Sequence, residues 1–128
     1  MSEIKSFQDL NIWKESHKLT LEIYGITSNY LKEEIYGLVS QMRRSASSIP
    51  SNIAEGMGRN TTKELIFFTY NARGSLLEII SHLILSKDLN YIKEDKFKEL
   101  YDRYSGLAKG INTFILKFKK PLNDSITQ

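Results

Sequence analysis

The chain has 128 residues and no cysteine, and its 18 Lys/Arg against 15 Asp/Glu leave a net charge of +3. That length fits one hydrophobic core rather than two modules, and the lack of thiols excludes a disulfide framework and any thiolate metal site. So mild a basic excess does not by itself announce nucleic-acid binding, and the placement of the cations has to decide that question.

The opening residues Met1-Ser2-Glu3-Ile4-Lys5-Ser6 lack the basic-then-apolar build of a secretory signal. Apolar runs such as Leu83-Ile84-Leu85 are too short to cross a bilayer. The expectation is a cytoplasmic protein with no membrane partner.

In the first segment Ile12, Ser16, Leu19, Ile23, Ile26 and Tyr30 recur at spacings of three and four, which defines one face of a helix. A second stripe, Leu10, Trp13, His17, Leu21 and Tyr24, runs alongside. The segment ends near Ser28–Tyr30. The next stripe is Ile35, Leu38, Val39, Met42, Ala46, Ile49 and Ile53, and it stays in phase across Pro50. Proline removes a backbone donor and crowds the carbonyl of Ala46. The unchanged phase therefore predicts one helix kinked at Pro50 rather than two helices. Gly56-Met57-Gly58 is expected to end it with a left-handed cap.

Thr61-Thr62-Lys63-Glu64 reads as a capping box opening the third segment. Leu65, Phe68, Ala72, Leu76, Ile79 and Leu83 form its main stripe. A second stripe, Ile66, Phe67, Tyr70, Leu77, Ile80 and Ile84, is nearly as apolar, and Asn90 is a left-handed stop after Leu89. A bundle helix needs about three apolar positions per heptad. This surplus implies either a more central position in the bundle or a subunit interface. The fourth segment carries a heptad through Phe97, Tyr101, Tyr104, Ala108, Ile111, Ile115 and Phe118, with Leu100, Leu107 and Phe114 flanking. Four helices of roughly 20–27 residues with short connections predict an all-α, antiparallel up-down four-helix bundle over residues 1–120. A flexible tail is expected over 121–128.

Little in the chain is built for catalysis. Two histidines and no cysteine nearly exclude nucleophilic triads. A two-metal carboxylate site needs Glu-x-x-His on two helices, and the nearest match is Glu78 with His82, at a spacing of four and present once. No catalytic residue, metal or cofactor is expected. Folding the second helix onto the third puts Glu78 within a turn of Gln41 and Arg44, so a structural Glu78–Arg44 pair or hydrogen-bonded layer is expected. The same register sets Gly74 and Ser75 against Ser45 and Ala46. Gly56-x-Gly58-Arg59 before a helix start admits an anion on Arg59 and the free helix amides. It lacks Walker spacing and a preceding strand, which favours an ordinary turn.

Two groups of cations are close in sequence: Arg43, Arg44 and Arg59, and the acid-free run Lys109, Lys117, Lys119 and Lys120. The second group sits at a helix C-terminus, where the dipole favours cations. It is either a solvated face or a phosphate-binding surface.

Phe7-Gln8-Asp9-Leu10-x-x-Trp13-Lys14 and Tyr36-Gly37-Leu38-x-x-Gln41-x-Arg43-Arg44 resemble a bacterial four-helix-bundle family. So do Ser48-Ile49-Pro50-x-Asn52-Ile53-Ala54-Glu55-Gly56-x-Gly58-Arg59 and Gly74-Ser75-Leu76-x-Glu78. That family includes proteins encoded within intervening sequences of large-subunit ribosomal RNA genes, and the accessory variability determinant proteins of diversity-generating retroelements. The resemblance runs from about Phe7 to Phe118 and is most specific from Ile49 to Gly56. It implies a homopentameric ring without catalytic activity. For the retroelement members it also implies a basic surface for nucleic acid and a reverse transcriptase partner. Gln41, Pro50, Asn52, Glu55, Gly56 and Glu78 are then motif positions with a structural role.

The sequence thus predicts a non-enzymatic oligomer, a homopentamer by that resemblance, that binds RNA or DNA. Arg43, Arg44, Arg59, Lys109, Lys117, Lys119 and Lys120 are the candidate contacts. The alternative is an adaptor ring that holds a protein partner, such as a reverse transcriptase, without touching nucleic acid.

Overall fold

Spacings of three and four give apolar stripes that only helices can bury, and the computed structural model, which describes residues 6–127 and the side chains of 6–119, is built from four of them. They are α1 (Asn11–Thr27), α2 (Ser40–Met57), α3 (Thr62–Asp88) and α4 (Glu94–Thr127). Neighbours along the chain lie side by side and α4 closes against α1, an antiparallel up-down bundle. No helix among the described residues is long and apolar enough to cross a membrane. Lys120 and the tail expected over 121–128 lie outside the residues whose side chains are described.

The buried side chains are those of the expected stripes. Leu19 and Ile23 meet Met42, Ile49 and Ile53, then Leu76, Ile79 and Leu83, all at most 1% exposed. Each such residue contributes about 1.5–3 kcal/mol by leaving water. In α4 the centre of the buried face is Leu100, Tyr104, Leu107, Ile111 and Ile115, while Tyr101 is turned outward. The expected heptad was therefore rotated by one position at its start.

α2 runs unbroken through a buried Pro50, and Ala46, Ile49 and Ile53 share one buried face on either side of it. The departure from helical geometry falls at Gly37 (φ −110°, ψ −105°), inside a π-turn over Ile35–Val39 that follows a 3-10 turn at Lys32–Glu34. The extra residue shifts the helical phase there. Ile35, expected in the core, is 47% exposed in consequence.

The left-handed cap expected at the end of α2 does not form. Gly58 sits at φ −87°, and its amide donates to the carbonyls of Ala54 and Glu55. The glycine that matters is Gly56, which is buried. A Cβ there would lie 3.1 Å from the Phe68 Cβ and 3.3 Å from the Leu65 carbonyl, so glycine lets α2 and α3 approach at their joined ends. Asn90 does take the left-handed conformation (φ 64°) that ends α3. The N-cap half of the capping box forms, with the Thr61 hydroxyl accepting from the Glu64 amide, while the Glu64 carboxylate accepts from that hydroxyl instead of from the Thr61 amide.

Candidate nucleic-acid interface

The bundle separates the cations that the sequence groups. Arg43 and Arg44 stand near the start of α2, and Arg59 stands just beyond its end, about 24 Å away for 16 residues of helix. Arg43 is committed to the end of α1. Its Nε donates to the Thr27 hydroxyl at 3.0 Å, a second nitrogen donates to the Tyr24 carbonyl, and the guanidinium lies 4.6 Å from the centre of the Tyr24 ring. A cation there adds a second donor to a carbonyl that already accepts from the Ser28 amide, and complements the helix dipole. Arg44 donates to Gln41 and meets no carboxylate among the described residues.

Arg59 was grouped as a cation without matching acids, and the structure corrects that. It pairs with Glu55 at 2.7 Å and approaches Glu64 at 4.0 Å, over the Phe68 ring. With a carboxylate from either helix beside its one arginine, the α2–α3 turn offers an anion little net positive charge. Gly56-x-Gly58-Arg59 forms the turn between α2 and α3, with Arg59 held by those two acids.

The α4 lysines find different surroundings. From Arg103 to Lys119 in α4 and from Leu65 to Leu77 in α3 there is no acidic residue, and these two stretches lie side by side. Arg73 of α3 donates to Asn112 of α4 at 3.0 Å and lies over the Tyr70 ring at 4.6 Å. Lys119 reaches the same tyrosine from α4, donating to its hydroxyl at 2.9 Å. The Lys119 ammonium, helped by Arg73, holds the Tyr70 phenol below the ordinary tyrosine range. Two cations thus flank one partly exposed aromatic ring, with Lys117 and Lys109 exposed along the same helix. An arginine can grip phosphate with two hydrogen bonds and a lysine can meet it as a point charge. Arg73 and Tyr70 were missed in the sequence because their partners come from another helix; the signal was a lone arginine in a stretch of α3 without acids.

The motif residues have structural partners. Asn52 donates to the Ser48 carbonyl and hydroxyl, and that hydroxyl lies 2.8 Å from the Ser75 hydroxyl, a polar string joining α2 to α3. Gly74, expected at the close approach, has open space around it. The Glu78–Arg44 pair is not made: the Glu78 carboxylate lies 3.5 Å from His82 Nε2, an ion-pair distance without hydrogen-bond geometry, and Arg44 turns to Gln41. Among the described residues no three His, Asp or Glu side chains are grouped so as to hold a metal ion.

Comparisons with known proteins agree with this architecture. A protein of unknown function from the S23 ribosomal protein family of Bacteroides thetaiotaomicron has a crystal structure that aligns with a TM-score of 0.75 at 19% identity, covering 81% of this chain and 94% of that one. At that identity the likeness shows the fold alone. No functionally curated protein matches the chain. Residues 8–113, most of the bundle, match the family model described as 23S rRNA-intervening sequence protein, and the chain belongs to that family.

Proposed function

We propose that this chain is a cytoplasmic, non-enzymatic accessory protein that assembles with copies of itself, as a homopentamer, and binds RNA or DNA through the α3/α4 face. The observation that carries the proposal is the Arg73–Tyr70–Lys119 arrangement within two adjoining stretches that hold no acid. Such a face binds the phosphate backbone without reading sequence, and assembly repeats it around the oligomer. Arg43 and Arg59 leave the set of contacts because α1 and the Glu55/Glu64 pair occupy them. Arg73 enters it.

The test is a salt titration of binding to structured RNA and to duplex DNA, with wild type beside Arg73→Ala and Lys119→Ala. The logarithmic slope is expected near −0.7 per neutralised phosphate on a single strand and about −0.9 on a duplex. Each substitution should flatten the slope and weaken all sequences alike. Absence of binding at about 50 mM salt, or binding indifferent to salt, overturns the proposal. An adaptor that holds a protein partner such as a reverse transcriptase is then the better account. The exposed apolar stripe on α3, with Phe67, Leu77 and Ile84, favours protein contacts of that kind.

A further inference from the structure

At the other end of the bundle, where α1 ends and the chain enters α2, the π-turn around Gly37 sets Tyr36 outward. Its side chain is 96% exposed. An aromatic residue of this size normally buries most of its ring, and nothing in the core requires this one. Tyr36 lines an open cleft of about 410 Å³ together with Tyr24, Ile35, Val39, Arg43 and Arg44. The volume lies within the roughly 300–1,000 Å³ usual for small-molecule sites.

The charged residues that line the cleft are two arginines. Arg43 is held rigid against α1, and its ring partner Tyr24 forms one wall. Arg44 is exposed, tethered only through Gln41, with no carboxylate on its guanidinium. Of the acids nearest in sequence, Glu34 is engaged by the α3–α4 connection through one oxygen, while the other lies beside Gly37. Glu34 accepts from the Tyr91 hydroxyl at 2.7 Å, and the charge of Glu33 acts on the same phenol.

We propose that this cleft binds an unpaired nucleotide of a single strand, with Tyr36 stacked on the base and Arg44 on its phosphate. The inference rests on the nucleic-acid function proposed above and adds a second, structurally separate site to it. A ring with both faces in solvent is a stacking platform that tolerates any base. A duplex keeps its bases inside the stack and cannot use such a platform, whereas loops, bulges and free ends can. An extended peptide fits less well, because a helical surface whose amides are already bonded offers no ladder to pair with. The site therefore confers preference for unpaired over paired nucleic acid, while the α3/α4 face holds both.

The experiment uses the full chain with two probes, a single-stranded RNA oligonucleotide and a blunt duplex of the same sequence, against Tyr36→Ala, Tyr36→Trp, Arg44→Ala and Arg73→Ala. Tyr36→Ala should weaken single-strand binding about five- to a hundred-fold, the range of one lost base–aromatic stack, and leave duplex binding unchanged. Arg44→Ala should act in the same direction. Tyr36→Trp should retain single-strand affinity, and its added indole fluorescence, relative to wild type, should be quenched by the single strand and not by the duplex. If Tyr36→Ala binds both probes as wild type does, or loses both equally, the cleft site is wrong. Loss of both probes in Arg73→Ala alone would keep the nucleic-acid function while removing this site. If the wild-type protein binds neither probe, both proposals fall.

Discussion

The Thr20 hydroxyl of α1 lies 3.2 Å from the Ala46 carbonyl of α2, the acceptor that Pro50 leaves without its helical donor. The same hydroxyl is 2.8 Å from the Ser16 carbonyl, so one proton serves two acceptors. A buried carbonyl without a partner costs about 1–3 kcal/mol. Thr20→Val should therefore lower unfolding stability by about 1–2 kcal/mol, measured by urea denaturation, and Thr20→Ser should lose less. In a Pro50→Ala background the amide is restored, and the cost of Thr20→Val should shrink. An unchanged cost there would show that the hydroxyl does not serve Ala46.

Tyr104 presents the opposite situation. Its ring is fully buried, and its hydroxyl has no hydrogen-bond partner. Burial pushes the phenol well above its ordinary range, so it stays neutral at any ordinary pH. Tyr104→Phe keeps the ring and removes the unmatched group. Its stability should equal or exceed that of wild type by up to about 1 kcal/mol, and a clear loss in thermal melts would show that the hydroxyl has a role.

The α1–α4 seam is held by charge. Lys96 bonds Glu22 at 2.9 Å, Arg103 bonds Glu15 at 3.2 Å, and Glu99 lies between the two cations. The hydrogen bond from Lys96 lowers the Glu22 pKa below 4.5, against the opposing effect of burial. The folded state thus holds the ionised form more firmly than the unfolded state. The contribution is complete above about pH 4.5 and is lost as pH falls through the lowered folded value. The Lys96 pKa is raised above 10.5 chiefly by the same bond, so its contribution is lost at the alkaline end. Both side chains are about a third exposed, which keeps the effect within about 1 kcal/mol. Glu22→Gln should flatten the decline of Tm below pH 4.5 relative to wild type, and parallel declines would contradict the assignment.

Along the outward side of α3, Phe67, Asn71, Gly74, Leu77, Ser81 and Ile84 follow spacings of three and four, and all are exposed. Of the second stripe noted in the sequence, Ile66, Tyr70 and Ile80 pack partly against the core, while Phe67, Leu77 and Ile84 are left exposed. Leu77→Lys with Ile84→Lys should reduce the mass in light scattering toward the 14.8 kDa of one chain while leaving the far-UV dichroism of a helical bundle intact. A wild-type protein already monomeric at micromolar concentration would refute self-association through this stripe.

The fold was legible because every helix buries a stripe that repeats at its own period, and the stripe continued across Pro50. The break at Gly37 was not legible. Ile35, Leu38 and Val39 remain apolar there whether or not the helix carries an extra residue. The end of α2 was misjudged because glycine permits the left-handed cap without requiring it. Asn90 succeeded at the end of α3, where the chain does reverse through that conformation. For the candidate site, proximity in sequence proved a poor guide. Arg59 looked free although Glu55, four residues before it in the last turn of α2, was the readable clue to its pairing. Lys119 reaches Tyr70, and Asn112 reaches Arg73, only once α3 and α4 are side by side.

The division of charge along α4 has a consequence before any contact is made. Between residues 94 and 119 its acids, Glu94, Asp95, Glu99 and Asp102, all precede the acid-free stretch that begins at Arg103. A net charge of +3 therefore understates how the molecule behaves in a field, because α4 is polarised along residues 94–119. A polyanion exerts a torque on such a body and turns its basic end forward during approach. The orientation is thus selected in the encounter, at distances set by the Debye length of about 8–10 Å at moderate salt. Association should accelerate as salt is lowered more than the overall charge alone would predict.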